Sequence, residues 1–328
     1  MHQLIKRSLG LLAVGAALAF ASVSSATQAW PTAPIRLIVP YASGGTADVL
    51  SREVAARLQQ ELGAAVAVEN QPGAGSTMAT AELARGGPGA DHTILMASSG
   101  HSIGPLLYKN LGYDPVKDFR FIRNIIEVPN VMTVPANSPH DSVAAFIAAA
   151  KQKPMTFSSS GVGSSIHMSA LLFMANTGTR MTHVPLASSA EVRSSLLSGE
   201  VDVAFDNLPA VLEPIRSGKL KALAVTSSKP SPYLPGVGTL AALGTDYGLA
   251  DFAITAWFGL IADDSMPPEA VARLQTAMDK IMADASFRAF VVKMGAEPAE
   301  QAGAAFRDYV GEDVRRWRRV ANQAHLAD

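Results

Sequence analysis

Short apolar runs alternate with stretches of helical periodicity along most of the chain, and this alternation restricts the fold more than any other feature. Residues 35–41 form an apolar run, followed by a helical pattern near 47–62. A second run at 65–69 leads through a glycine loop to a helical pattern near 77–85, and a third run covers 93–97. This β-α-β-α-β order predicts a parallel sheet covered by helices, a fold of the α/β class. In such sheets ligands sit outside the carboxyl ends of the strands. A second series begins after residue 128: "VMTVP", a helix capped by Asp141 or Ser142, "MTFSSSG", a helix near 165–176, "MTHVP", a helix near 190–197, "VDVAFDN" and "LKALAVTSS". The strand "FAITAWFGLIA" and a helical tail from Pro267 close the chain.

The tail offers helices with a single strand ahead of them, so the simplest packing returns it to the first sheet. That division gives one domain from residues 30–128 and 253–328 and another from 129–252. Strand-like crossings near 127–134 and 251–258 would join them, which makes a hinge and a cleft.

Three loops of small residues lie where strands hand over to helices. They are Ser43-Gly44-Gly45-Thr46, "NQPGAGS" at 70–76, and "FSSSGVGSSIHMS" at 157–169. Each presents backbone N–H groups with little side-chain bulk, and a helix N-terminus carries unpaired donors and partial positive charge. Two such helix starts facing each other can hold a carboxylate without any Arg. The competing reading of each loop is a tight turn with an N-cap, for which Thr46 is the candidate in the first. The first loop is not a Walker A motif, since no Gly-Lys-Ser/Thr follows, and it lacks the third glycine of a dinucleotide fingerprint. Asp206 ends an apolar strand at its carboxyl side. Either the cleft edge or a cap for the next helix suits it, and Asp48 carries the same ambiguity in the first loop.

Lys6 and Arg7 precede an apolar stretch at 9–23 and then small residues, the pattern of a signal peptide ending at Ala26 or Ala29. The stretch is shorter than the ~20 residues a spanning helix needs. Residues 1–29 are therefore read as a leader, and the mature chain as exported. Losing Lys6 and Arg7 takes the net charge from −1 to −3, which argues against nucleic acid as a partner. The basic run Arg315, Arg316, Arg318 and Arg319 flanks Trp317 on a helix whose apolar positions Phe306, Val310, Trp317 and Val320 read as one face; the arginines read as a solvated face. Cysteine is absent, so no disulfide, thiolate or lipid anchor is available.

Ser158–Ser160, His167 and Asp206 occur in Ser, His, Asp order. The hydrolase elbow is missing, because Gly163-Ser164-Ser165 carries no glycine two residues after the first serine. The seven histidines form no His-x-x-x-His pair, so neither metal nor cofactor is expected.

"WPTAPIRLIVPYASGGTADVLSR", "VENQPGAGS", "YDPVKDF", "FSSSGVGSSIHMSALLF", "HVP", "GEVDVAFDN", "GKLKALAVTS" and "WFGLIA" together resemble the Bug-type receptors, the periplasmic solute-binding proteins of tripartite tricarboxylate transporters. The resemblance runs in order over essentially the whole mature chain. It implies a two-lobed periplasmic binding protein of type II topology with a cleft between the lobes. It also implies a small organic carboxylate as ligand and membrane permease subunits as partners, with no catalysis and with a monomeric receptor. Carried over, the ligand-binding roles fall on Tyr41, Ser43, Gly44, Gly45 and Thr46 with Asp48. On the facing side they fall on Ser158, Ser159, Ser160, Gly163 and Ser164 with His167, and on Asp206 through ordered water. The sequence departs from the pattern in three places. Ala42-Ser43 stands where Pro-Pro is usual, Ala90-Asp91-His92-Thr93 replaces "PDGYT", and Leu186-Ala187-Ser188 replaces a frequent Tyr-Lys-Gly. The alternatives are a sensory binding protein for a membrane kinase, which has the same fold, and a secreted hydrolase.

Overall fold

The computed structural model describes residues 30–323; the leader read at 1–29 lies outside them. Two sheets carry the chain. In the first, β1 (Ile35–Val39) lies between β2 (Val66–Asn70) and β3 (Thr93–Ser98), with all three parallel. The long strand β4 (Phe119–Pro135) and β9 (Thr255–Asp263) complete it in the order β2-β1-β3-β9-β4, and β9 is antiparallel to both its neighbours. In the second, β5 (Met155–Ser159) lies between β6 (Met181–Pro185) and β7 (Val203–Asn207), again all parallel. There β4 runs antiparallel between β7 and β8 (Leu220–Val225). The two sheets thus share one plan. Each has three parallel strands, a strand arriving from the other lobe, and a closing strand.

Burial explains the central positions. Every residue of β3 and of β7 is buried, as near-continuous apolar runs in a sheet covered on both faces require. The edge strand β2 alternates half-buried and exposed residues. Helices α1 (Thr46–Leu62), α3 (Ser99–Leu107), α5 (Ser165–Thr177) and α7 (Leu208–Arg216) follow β1, β3, β5 and β7 directly. Helices α2 (Thr77–Ala84), α4 (Val143–Gln152) and α6 (Ser189–Ser198) cover the rest, and Ser142 caps α4 through the Ala145 N–H at 3.1 Å.

β4 crosses between the sheets at a single step. Its residues 119–129 pair with β9, and its residues 130–135 pair with β7 and β8. The return crossing is at Ile254 and Thr255. Thr226 staples the two crossings: its N–H donates to the Asn130 oxygen at 2.9 Å, its oxygen accepts the Ile254 N–H at 2.9 Å, and its Oγ1 donates to the Ile254 oxygen at 2.7 Å.

Two features were not foreseen. Helix α3 carries Gly100, Gly104 and Pro105, poor helix formers, so its sequence shows no helical signal. Packing accounts for it: a Cβ at Gly100 would lie 2.2 Å from the Gly75 oxygen. The tail also reaches further than one sheet. Helices α8 (Pro268–Ala283) and α9 (Ala285–Met294) follow β9, and α8 packs on α1. Then α10 (Gly303–Gln323) places Phe306 and Val310 in a first-lobe core with Ile38 and Trp257. Its Trp317 enters the second-lobe core with Met132 and Phe173. Between them the Trp257 Nε1 donates to Asp313 Oδ2 at 2.8 Å. The face read as one apolar stripe is therefore shared by both lobes.

Trp317 is 1 % exposed, so Trp317→Ala should destabilise the chain by about 3–5 kcal/mol, checked by urea unfolding of the variant beside the parent. A loss below ~1 kcal/mol would show that α10 does not anchor the second lobe.

Candidate ligand-binding site

The parallel strands of both sheets end toward one another, and the helices that follow them begin there. A narrow cavity with about 20 Å³ of free volume occupies the gap. Tyr41, Gly45, Thr46 and Ala47 line it from the start of α1, and Ser98 and Ser99 from the start of α3. Facing them are Ser160, Ser164 and Ser165 at α5, Ser189 at α6 and Asn207 at α7; Ala256 and Phe258 of β9 form the floor. Five helix N-termini therefore converge on one space. The first N–H groups of each have no partner within the helix, and each end carries partial positive charge. The lining contains no Lys or Arg. The positive potential comes from backbone dipoles, with hydroxyls as further donors.

The cavity holds an open bonding position. Thr46 Oγ1 is buried and has no partner, and Gly45 rather than Thr46 is the N-cap of α1, with no side-chain cap bond. The expectation of Thr46 as a capping side chain is thus corrected, and its hydroxyl is free for a ligand. Tyr41 OH and Ser98 Oγ are 3.0 Å apart, and Ser99 Oγ accepts the Trp257 N–H at 3.1 Å. Asn207 Nδ2 donates to Asn130 Oδ1 at 2.6 Å, which ties the cavity wall to the crossing of β4.

The other expected residues either lie outside this lining or spend their polar groups elsewhere. Ser43 and Gly44 are exposed, and the Gly44 N–H is spent on Asp48 Oδ2 at 2.9 Å. Asp48 also accepts from Arg52 at 2.8 Å and Asn70 at 3.0 Å. Burial pushes its pKa up, but the bonds from Arg52, Gly44 and Asn70 outweigh this and hold it below the usual carboxylate range. Asp48 braces the loop that carries Gly45. Ser158 accepts from Ser195 at 3.0 Å, and Ser159 pairs with His183 Nε2 at 2.7 Å. Ser164 lines the cavity, yet its hydroxyl donates to the Gly161 oxygen at 2.8 Å and caps α5 by accepting the His167 N–H. His167 Nδ1 accepts from the Gly163 N–H at 3.4 Å. Burial, with His183 beside it, lowers the His167 pKa to about 4, so the ring is neutral at neutral pH. Among the hydrogen bonds of Ser158, Ser159, His167 and Asp206, none joins these side chains to one another.

Asp206 is wholly buried, and its Oδ1 accepts the Asn207 N–H at 2.8 Å. Burial pushes its pKa up to about 7, against the opposing effects of the Asn207 N–H, Ser189 and Arg193. Sequence reasoning missed Ser98, Ser99, Ser165, Ser189 and Asn207. The signal for the first two was present: "SSG" ends an apolar strand as "SGG" and "SSSG" do.

The lobes are closed. The Ala42 N–H donates to the Ala187 oxygen at 3.0 Å, across the mouth from α1 to α6. At Gly75, where φ is +60°, a Cβ would lie 2.1 Å from the Val162 oxygen, so only glycine permits that approach of the lobes.

Two α/β lobes of one plan, joined by crossing strands and closed over a polar cavity, define a two-lobed periplasmic solute-binding fold. Comparison with known proteins gives the family. Residues 50–326 match the model of the tripartite tricarboxylate transporter family receptor. The chain is 30 % identical to BugT of Bordetella pertussis over 95 % of its own length and 96 % of that protein. The structure of the periplasmic binding protein BugD aligns with a TM-score of 0.85 at 29 % identity, covering 90 % of this chain and 99 % of that one. The R. palustris protein Rpa4515, solved with adipate, aligns with a TM-score of 0.84 at 33 % identity, covering 90 % and 98 %. The chain belongs to the tripartite tricarboxylate transporter receptor family. No helix among the described residues is long and apolar enough to cross a membrane.

The raised pKa of Asp206 fixes a sign. Below the unfolded carboxyl pKa of ~4 both states hold the proton. Between there and about 7 the folded state holds it and the unfolded state does not, so stability falls as pH rises. Asp206→Asn should remove this slope, and the variant should gain on the parent by up to about 1.4 kcal/mol per pH unit across that window. Denaturant unfolding at pH 4, 5, 6 and 7 checks it; a difference that does not change with pH would place the titration elsewhere.

Proposed function

We propose that the protein is an extracytoplasmic receptor that captures a small carboxylate between its lobes and delivers it to the permease of a tripartite transporter. The observation that carries this reading is the cavity itself: five helix N-termini and an unpartnered Thr46 hydroxyl face one space with no cationic side chain. Such a site favours an anion of modest charge. Membership of a receptor family and the adipate bound to Rpa4515 support it. The leader at residues 1–29 would deliver the chain to the periplasm as a monomer.

In this reading the two lobes move against each other about the Asn130, Thr226 and Ile254 staple, with α10 packed on both, and the ligand selects the closed state. Gly44 and Gly45 serve differently from one another. Both lie against α6, but Gly44 has φ +84° and gives its N–H to Asp48, whereas Gly45 lines the cavity. The receptor reading is favoured over a hydrolase, because the Ser159 hydroxyl pairs with His183, the His167 ring accepts from Gly163 and Asp206 accepts the Asn207 N–H, so the three side chains do not bond to one another.

A thermal-shift screen against organic acids tests the proposal. A ligand at one hundred times its dissociation constant should add roughly 2.7 kcal/mol of stability. X-ray scattering should show compaction with the stabilising acid, while no stabilisation by any acid, or turnover of generic esters, would sink the reading. Gly45→Val offers a sharper check. A Cβ there would lie 3.3 Å from the Ser189 nitrogen, a contact tight only in the closed form. The variant should keep the ligand-free melting temperature and lose ~10- to 100-fold in affinity, the equivalent of one charge-assisted hydrogen bond. Unchanged affinity measured by calorimetry would show that closure does not bring Gly45 against α6.

A further inference from the structure

Four carboxylates among the described residues are buried: Asp48, Asp206, Asp263 and Asp313. Three of them have their charge met by several donors. Asp48 is paired with Arg52, and Asp313 with Arg316 and the Trp257 Nε1. Asp263 accepts both the N–H and the hydroxyl of Ser265. Asp206 differs. It is 0 % exposed, its Oδ1 takes the Asn207 N–H, and its Oδ2 has no partner. Arg193 acts on it only as a charge at a distance, since its Nη1 donates to the Ala210 oxygen at 3.2 Å.

Alternation along β7 decides where this group points. Ala204 packs with Val131, Val192 and Val211 in one core, whereas Phe205 lies in another with Met132 and Phe173. Asp206 shares the face of Ala204, toward α6 and α7, and pairs in register with Val131 of β4. From α6 the groups that act on it are Ser189 and Arg193, and from α7 and β4 no charged group does. Ser189 is the first residue of α6 and also lines the ligand cavity. Its hydroxyl therefore connects the cavity to the buried carboxyl. An ionised Asp206 takes the Ser189 proton and leaves a lone pair toward the cavity. A protonated Asp206 can itself donate, which frees the Ser189 hydrogen for an anion.

We infer that carboxylate binding is coupled to the uptake of a proton by Asp206, relayed to the ligand through the Ser189 hydroxyl. The inference rests on the proposed function and makes Asp206 a positioning residue of that same site. Two effects share one sign. A bound anion disfavours a second negative charge in the same desolvated region, and the protonated carboxyl turns Ser189 into a donor. Burial already lifts Asp206 to about 7, so both of its forms are populated near neutral pH. Affinity for an ionised acid should be nearly flat below that pH and fall by up to about tenfold per pH unit above it.

Calorimetry of adipate and of malate on the mature chain between pH 6.5 and 9 tests this. Repeating the titration at pH 8 in buffers of different ionisation heat should reveal the uptake of close to one proton per acid bound. Difference infrared spectra at that pH should show a protonated-carboxyl band that appears with the acid in the parent and is missing in Asp206→Asn. Asp206→Asn keeps an acceptor for the Asn207 N–H and a donor toward Ser189. It should lose the pH slope and the proton uptake, and at pH 9 it should bind at least about tenfold more tightly than the parent. Ser189→Ala should bind more weakly at pH 6.5 and show a shallower slope. If an acid binds without pH dependence or proton uptake, or if Asp206→Asn keeps the parent's slope, the coupling falls while carboxylate binding stands. If the slope is lost in Asp206→Asn yet survives whole in Ser189→Ala, the relay through Ser189 falls. If neither acid gives heat or raises the melting temperature, the carboxylate reading falls and this inference with it.

Discussion

The bond between Asn207 and Asn130 connects everything else. Asn130 is the first residue of β4 in the second sheet, so its backbone stands at the crossing. Its side chain accepts from Asn207 at the wall of the cavity and donates to Ser169 of α5 at 3.0 Å. Its backbone is held by Thr226, which also holds Ile254 on the return crossing. All these groups are buried, and a buried polar group left without a partner costs about 1–3 kcal/mol. The arrangement of α5 and α7 around the cavity is therefore not independent of the geometry of the crossings. A shift at one must be accommodated at the other.

Anion recognition follows from the sheet plan. In each sheet a strand from the other lobe stands beside the parallel strands, and the parallel strands all end on the same side. Helices that follow parallel strands point their N-termini at that side, so facing two such sheets across a cleft concentrates helix starts in one place. The lining at Gly45, Ser98, Ser99 and Ser160 is of small residues, which leave room beside those helix starts. A cationic side chain is not needed, and its absence keeps the site from binding phosphate-like charge as strongly as an arginine fork does. The buried acid Asp206, next to the lining residue Asn207, has its pKa raised by burial to about 7, so part of its population is neutral near pH 7 and repels an anion less.

Much of this was legible in the sequence, and the parts that were not have physical reasons. The alternation of strands and helices showed both α/β units, because buried parallel strands are continuous apolar runs. The hydroxyl-rich loops pointed to the right strand ends. Helix α3 was invisible because Gly100, Gly104 and Pro105 oppose helix formation, and only its packing against Gly75 and the tail supports it. Individual site residues were harder. Ser159, His167 and Asp48 have the chemistry of ligand-binding groups, yet their bonds point inward to His183, Gly163 and Arg52. Whether a hydroxyl faces a cavity or caps a helix depends on a rotation that sequence spacing does not encode.

The same ambiguity shows why the loops, and not the charged residues, define this site. Asp48 and Glu191 are both acidic residues in the first turn of a helix beside the cleft, and each binds a backbone N–H of the preceding loop. In the first lobe Asp48 is buried and neutralised by Arg52, so it fixes the Gly44–Gly45 turn without presenting charge. In the second lobe Glu191 is exposed at the mouth of the cleft, where no cation stands among the residues around it. Identical local chemistry thus serves rigidity on one side of the cleft and exposes charge on the other. The difference lies in the Arg52 side chain, one helical turn after Asp48, for which α6 has Ser195 at the corresponding position.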